Sequence, residues 1–322
     1  IKGDPSMNEH NEAYSVADNT AVVDVAVIGA GPAGLTAAVY ARRAGATVKV
    51  FEGASIGGQI SAAENVENFP GIRAISGMDL AMNLYEQAEA LGAEFEFEAV
   101  TAAELDGDVK QLTAGGRITK ARTVIIATGA RCRRLGVDRE DELVGAGVSY
   151  CAVCDGAFFK GKDVAVVGGG NSAVDDALYL AGYCNKVYLV HRRDGFRCEN
   201  SKLELAKKNP KIEFLTGYRV IGLEGDKTLS GAVLESVSDG SKRELRAEGI
   251  FVAIGREPQN EFLKGIELKD GYVAAGENCR TNIEGVFVAG DCRDKGVRQL
   301  TTACADGTVA ALAACEYLKS IK

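Results

Sequence analysis

One unit occurs twice in this chain, and each copy can close in only one way. The first copy, "VVDVAVIGAGPAGLTAAVYARRAGATVKVFEG" at residues 22–53, predicts a valine-rich strand, a glycine turn, an amphipathic helix and a second strand ending at Glu52. Each glycine in it has a separate steric task. Gly29 makes the tight turn, Gly31 lets the backbone approach a pyrophosphate, and Gly34 lets the helix lie close to the strand. The helix N-terminus then faces the phosphates, and Glu52 stands where a carboxylate accepts ribose hydroxyls.

The second copy, "DVAVVGGGNSAVDDALYLAGYCNKVYLVHRRDGFR" at residues 163–197, repeats the pattern with Gly168, Gly170 and Ala173 in the fingerprint positions. Two nucleotides are implied. In place of Glu52 it carries His191, Arg192 and Arg193, with Arg197 close behind. A carboxylate there repels a 2′-phosphate, whereas guanidinium groups bind one bidentately, so the second site is expected to prefer NADPH.

Two more glycine turns end strands and bracket the second copy: "TVIIATGAR" around Gly129 and "GIFVAIGRE" around Gly255. They read as the crossings between two domains. The expected class is α/β, with two Rossmann-like nucleotide-binding domains, the second inserted into a discontinuous first. The boundaries are residues 19–133 and 261–322 for the first domain and 134–260 for the second, after a polar leader at 1–18. At the return, "GVFVAGDCRDKGVRQLTTACADGTVAALAACEYL" supplies a strand ending at Gly290 and Asp291, then a helix of small residues. An acid at the carboxyl end of a strand suits a ribityl or ribose hydroxyl.

Composition narrows the function classes. With 322 residues, 46% apolar and 25% charged, the chain is an ordinary globular protein. Its net charge is −8, and its only dense basic cluster spans residues 192–197, which argues against a nucleic-acid partner. The apolar run at 21–41 contains Asp24, three glycines and a proline, so it is read as soluble structure and no membrane partner is expected. The leader has no apolar core; residues 1–6 resemble an expression remnant before a start at Met7, and a cytoplasmic location is expected.

Nine cysteines are an odd count, and seven of them are scattered; only Cys151 and Cys154, in "SYCAVCDGAFF", form a pair with an acid directly behind. Three readings compete. Structural zinc wants four ligands, but there is no second CxxC and the only histidines are His10 and His191. A structural disulfide across so short a loop constrains little of the unfolded chain and tends to be reduced in the cytosol. A redox dithiol suits a protein with two dinucleotides, because nicotinamide delivers hydride, a dithiol takes two electrons, and a flavin is the usual intermediary. The first nucleotide is therefore read as FAD. Asp155 supplies an acid able to protonate a leaving thiolate.

At this point the chain resembles the low-molecular-weight thioredoxin reductases from about residue 24 to 318, through "GAGPAG", "GGQ", "VENFPG", "ATG", "CAVCDG", "GGGNSA", "HRRDGFR" and "GVFVAGD". The resemblance implies that FAD is held by Gly29, Gly31, Pro32, Ala33, Gly34, Glu52, Gly58, Gln59, Asn68, Thr128, Gly129, Gly290, Asp291, Arg298, Gln299 and Leu300. It implies an NADPH site of Gly168, Gly170, Asn171, Ser172, Ala173, His191, Arg192, Arg193, Arg197, Ile254 and Gly255. It further implies that Cys154 faces the flavin, that Cys151 attacks the disulfide of thioredoxin, and that the protein is a homodimer. Departures are Val153, where threonine is common, and Asp175 and Asp176 in place of glutamates.

The intact basic cluster argues against relatives that take electrons from ferredoxin or act as flavin-dependent dithiol oxidases, and against a redox sensor, which needs no NADPH pocket. Reductases of peroxiredoxins usually carry an added N-terminal thioredoxin-like region, for which the leader is too short. Because the dithiol and the NADPH fingerprint share one domain and FAD belongs to the other, close packing leaves little room for both at one flavin. Two arrangements related by rotation about crossings near 131–136 and 255–261 are expected.

Replacing Arg192 and Arg193 by neutral residues should weaken NADPH and spare NADH, since charge-assisted contacts contribute about 1.5–3 kcal/mol each. Separate KM measurements for the two nucleotides check this. Equal losses for both would reduce the cluster to a shaping role.

Overall fold

The computed structural model describes residues 21–63 and 65–321; the polar leader at 1–18, with Met7 and His10, lies outside the described residues. Strand Val23–Ile28 is the centre of the first sheet, with Val25, Ala26 and Val27 fully buried. It pairs in parallel with Val48–Phe51 on one side and Arg117–Ile126 on the other. Glu94–Glu96 extends the parallel set beyond Val48–Phe51.

The ten-residue strand Arg117–Ile126 serves two further partners on its other edge. Its far end pairs in parallel with Val286–Val288, and its near end pairs antiparallel with Lys110–Ala114, which in turn pairs with Val100–Glu104. Chain that leaves this sheet near residue 130 therefore comes back to it at residue 286.

Between those points lies the second sheet, parallel throughout, in the order Ile212–Thr216, Lys186–His191, Asp163–Val167, Gly249–Val252 and Val148–Ser149. Its centre is apolar on both faces, as a covered parallel sheet requires: Val164, Val166, Val187 and Leu189 are buried on one face, and Ala165, Val167, Val190 and Ile250 on the other. The antiparallel meander Tyr218–Gly225, Leu229–Ser236 and Lys242–Arg246 completes this half. Two Rossmann-type units, one inserted into the other, are thus the architecture.

The two crossings meet as an antiparallel ribbon, Ala130–Cys132 against Arg256–Pro258, extended by the Arg133 N–H donating to the Gly255 carbonyl at 3.0 Å. The turns into it need left-handed backbone, φ +71° at Gly129 and φ +115° at Gly255.

Helix Leu300–Ser320 returns across helix Pro32–Arg43, and small residues let the two backbones touch: a Cβ at Gly307 would lie 2.2 Å from the Ala33 carbonyl oxygen. One buried charge cluster ties this helix to the loop before it. Asp306 accepts from Arg293 Nη2 at 3.0 Å, Lys295 Nζ at 2.9 Å and the Gly290 N–H at 3.1 Å. Burial alone would raise the Asp306 carboxyl, but hydrogen bonds from Arg293 and Lys295 outweigh it and hold the group below the usual range. Arg293 is 3% exposed. Asp306→Asn would leave Lys295 without its counter-charge and Arg293 with only Glu277 at 3.5 Å, so a loss of about 3–5 kcal/mol in urea unfolding is expected. An unchanged midpoint would show that the cluster adds nothing net.

Candidate active site

The first glycine turn has the geometry of a phosphate cradle. A Cβ at Gly34 would lie 1.9 Å from the Gly29 carbonyl oxygen, and one at Gly29 would lie 2.3 Å from that of Ala127, so both positions are closed to any side chain. Gly31 is different: its nearest neighbour would be the Gly57 oxygen at 4.0 Å, leaving open space in front of the N-terminus of helix Pro32–Arg43. Gly58 faces Gly31 across that space, with a Cβ there reaching 3.6 Å from the Gly31 Cα. Glu52 is fixed beside the turn by accepting the N–H groups of Ala30 and Ala54, each at 2.8 Å.

The acid at the end of the strand Val286–Val288 lies where a donor is missing. Asp291 Oδ1 is buried with no hydrogen-bond partner, while Oδ2 is 3.6 Å from Arg256 Nη1. Burial pushes the Asp291 carboxyl up, against the pull of Lys295, Arg256 and Arg298. An orphaned buried oxygen demands a donor, and a polyhydroxyl chain supplies one. Together with the open space at Gly31, these residues fit a flavin dinucleotide.

The neighbouring predicted residues gather around the same region. Arg298 donates to the carbonyls of Asp291 and Arg293 and lies over the Tyr272 ring at 4.1 Å. Gln299 caps helix Leu300–Ser320 in a reciprocal pair with Thr302, and Asn68 Nδ2 donates to its side-chain oxygen at 3.4 Å. Gln59 donates to the Ala130 carbonyl on the crossing ribbon, and Thr128 donates to the buried Asn260 at 3.0 Å.

The second turn is built alike, with alanine in the third position. A Cβ at Gly168 would lie 2.3 Å from the Ala253 oxygen, whereas Gly170 opens to space, its nearest neighbour the Arg197 oxygen at 3.9 Å. The Arg197 N–H donates to the Gly169 carbonyl at 2.7 Å and brings the basic loop against the turn. Arg192, Arg193 and Arg197 are exposed there, as is Ser172 on the first turn of helix Asn171–Ala181, and Asn171 accepts the Glu199 N–H at 2.8 Å. His191 departs from a freely exposed ribose ligand. Its ring lies against Gly169 and 5.0 Å from Phe196, with Nε2 buried and partnerless. Burial is the main reason its imidazole is pushed below the ordinary range, and the three arginines add to it.

Cys151 and Cys154 form a disulfide, and Cys151 caps the short helix Ala152–Asp155 with the Cys154 N–H 3.2 Å from its Sγ. Behind it stands Ser149, buried in the second sheet, which donates to Asp155 Oδ2 at 2.6 Å and accepts the Cys151 N–H at 3.0 Å. Burial raises the Asp155 carboxyl against the Ser149 bond, so it keeps a proton to higher pH than a free aspartate. The disulfide belongs to the inserted half yet faces the other: Cys151 Sγ lies 4.0 Å from Gln299 Nε2.

Ser149 and Arg256 are site residues that the motifs do not single out, and Asp176 is marked in the sequence only as a departure from glutamate. Arg256 stands on the crossing ribbon between Asp291 and Asp176, whose carboxyl burial pushes up to about 6 against the attraction of Arg256. None of the three belongs to a fingerprint, and their significance is spatial.

Two glycine cradles on separate parallel sheets, joined by a ribbon and sharing one CxxC disulfide, define a disulfide oxidoreductase of the two-nucleotide type. The chain belongs to the pyridine nucleotide-disulphide oxidoreductase family, whose model matches residues 23–307. The family implies flavin and nicotinamide cofactors. The chain is 44% identical over 308 residues to the thioredoxin reductase of Peptoclostridium acidaminophilum, covering 93% of this chain and 98% of that one. The thioredoxin reductase structure from Streptococcus pyogenes MGAS5005 superposes with a TM-score of 0.89 at 40% identity, covering 93% and 99%. That of Lactococcus lactis, described as the FR conformation, gives 0.63 at 39% identity, covering 92% and 99%.

Asp155→Asn should leave flavin reduction by the nicotinamide intact and slow disulfide exchange by roughly 10²-fold, because only exchange calls for its proton. Stopped-flow reduction compared with steady-state turnover separates the two. Normal turnover would make Asp155 a turn residue held by Ser149.

Proposed function

We propose that the protein is an NADPH-dependent thioredoxin reductase, passing electrons through FAD and the Cys151–Cys154 pair to the disulfide of thioredoxin. The single observation that carries this reading is the position of the disulfide: it is covalently part of the half bearing the basic nucleotide turn, yet meets the other half at Gln299. A dithiol placed between two nucleotide cradles is placed for relay.

In this reading residues 19–133 and 261–322 hold FAD and 134–260 hold NADPH. Glu52 and the Gly29–Gly31–Gly34 turn take the adenosine and pyrophosphate end, and Asp291 takes a ribityl hydroxyl with its unpartnered Oδ1. Arg192, Arg193 and Arg197 bind the 2′-phosphate, and Asn171 and Ser172 lie at the helix N-terminus that receives the pyrophosphate. FAD held there would supply the two-electron chemistry that links a nicotinamide hydride to the disulfide. Cys154 is the flavin-facing sulfur and Cys151 the attacking thiolate; Asp155, held by Ser149, supplies the proton that a departing thiolate needs.

Nicotinamide and Cys154 cannot both contact one flavin face, so the two halves alternate by rotation about the Ala130–Cys132 and Arg256–Pro258 ribbon. The unequal superpositions, 0.89 and 0.63 at nearly equal identity and coverage, support such alternation. No helix among the described residues is long and apolar enough to cross a membrane, which is compatible with a cytoplasmic enzyme; a homodimer follows from the same reading.

Oxidation of NADPH with a disulfide dye, with and without added thioredoxin, tests the whole proposal. Turnover with thioredoxin is expected; a stop after one equivalent would identify a sensor, and turnover with oxygen alone an oxidase. The cysteine roles have their own readout. Cys151→Ser should leave a thiolate at Cys154 beside oxidised flavin and give a long-wavelength charge-transfer band that Cys154→Ser lacks, and identical spectra would refute the assignment.

A further inference from the structure

The Gln299 side chain is aimed by contacts that leave only its donor end free. Its carbonyl oxygen accepts the N–H of Thr302 in the capping pair and a bond from Asn68 Nδ2 at 3.4 Å. Its Nε2 is thereby turned away from the helix, and it lies 4.0 Å from Cys151 Sγ. The residue also caps a helix of 21 residues, so the unpaired N–H groups at that helix's start lie behind the same amide. We infer that Gln299 is a positioning residue of the dithiol: a donor reaching across the two halves to favour a thiolate at Cys151 as the disulfide opens.

The inference rests on the reading above, and the chemistry balances within it. The hydride taken from NADPH carries two electrons and one proton. The two electrons break the S–S bond and leave each sulfur with a lone pair, Cys151 departing as a thiolate. The single proton then leaves the pair as one thiol and one thiolate. A departing sulfur is stabilised by whatever favours its anion, and a helix N-terminus with an amide donor does so at the moment charge develops. The contact exists only in the arrangement that brings the disulfide to Gln299. Rotation of the inserted half withdraws Cys151 from it, which leaves a less stabilised and more nucleophilic thiolate for exchange.

The test follows Cys151 in the reduced, flavin-bound full-length chain. Alkylation by iodoacetamide is measured across pH, with the modified peptide quantified by mass spectrometry. Gln299→Leu should lower the thiolate fraction of Cys151 at neutral pH roughly fivefold, a shift of about 0.7 in the midpoint. Gln299→Glu should shift it further, since a carboxylate repels the thiolate. Asn68→Ala keeps the amide but loosens its aim, and a change of roughly twofold is expected. Midpoints equal to the parent protein's in all three variants would overturn the inference. Flavin content is measured by absorbance in every variant and midpoints are compared in the FAD-bound fraction alone: a shift there supports the role, and none refutes it. Thioredoxin reduction by the parent protein is assayed alongside, so failure of that activity with the midpoint shifts present would strike the proposed function and leave the Gln299 role standing.

Discussion

Backbone touching backbone at the first glycine turn is the constraint from which the rest of the molecule is positioned. The missing Cβ at Gly34 lets helix Pro32–Arg43 settle on the Gly29 carbonyl. That helix then offers Ala33 as a shelf: a Cβ at Gly307 would meet the Ala33 backbone at 2.2 Å, and one at Gly290 would meet the Ala33 Cβ at 2.8 Å. Through Gly307 the long helix Leu300–Ser320 is laid across the first, and its start fixes Gln299. The reach to Cys151 is thus the last step of a chain of close approaches, each closed to any larger side chain.

Charge is used more expensively than packing. Asp306, Arg293 and Lys295 are taken out of water together, a cost repaid only because every donor and acceptor in the cluster is met. The return is that the loop carrying Asp291, Arg298 and Gln299 is tied to the helix rather than left to find its own place. Asp291 itself is left half-satisfied, with one oxygen near Arg256 and the other orphaned, the pattern of a group waiting for a ligand.

Between the halves the economy reverses. The crossing ribbon pairs three residues with three, and the contact at Gln299 is a single long one. A joint of two short strands permits rotation, whereas each half, with a fully buried sheet at its centre, moves as a body.

Both nucleotide units were legible in the sequence because their determinants are contiguous. Glycine placement, strand apolarity and the terminal acid or arginines act within about thirty residues, and local sterics decide them. The CxxC was legible for the same reason. The paired part of the crossings falls at 130–132 and 256–258, overlapping the 131–136 and 255–261 expected. What the motifs did not carry was the surroundings. Ser149 looks like any serine before a turn until the reversal at Cys151 brings its hydroxyl to Asp155. Arg256 becomes a partner of Asp291 only once the chain has left one sheet, built another and come back. His191 ends the second strand of its unit, and its ring packs against Phe196 and over Gly169 instead of standing in solvent. Gln299 and Cys151, 148 residues apart, meet solely through the relative placement of two independent sheets. The sequence by itself determined two nucleotide cradles and a redox pair, since each is closed by neighbours along the chain. Which carboxylates keep their protons, which oxygen is left without a partner and which sulfur has a donor were decided by tertiary structure, because burial and through-space charge depend on chain brought in from elsewhere.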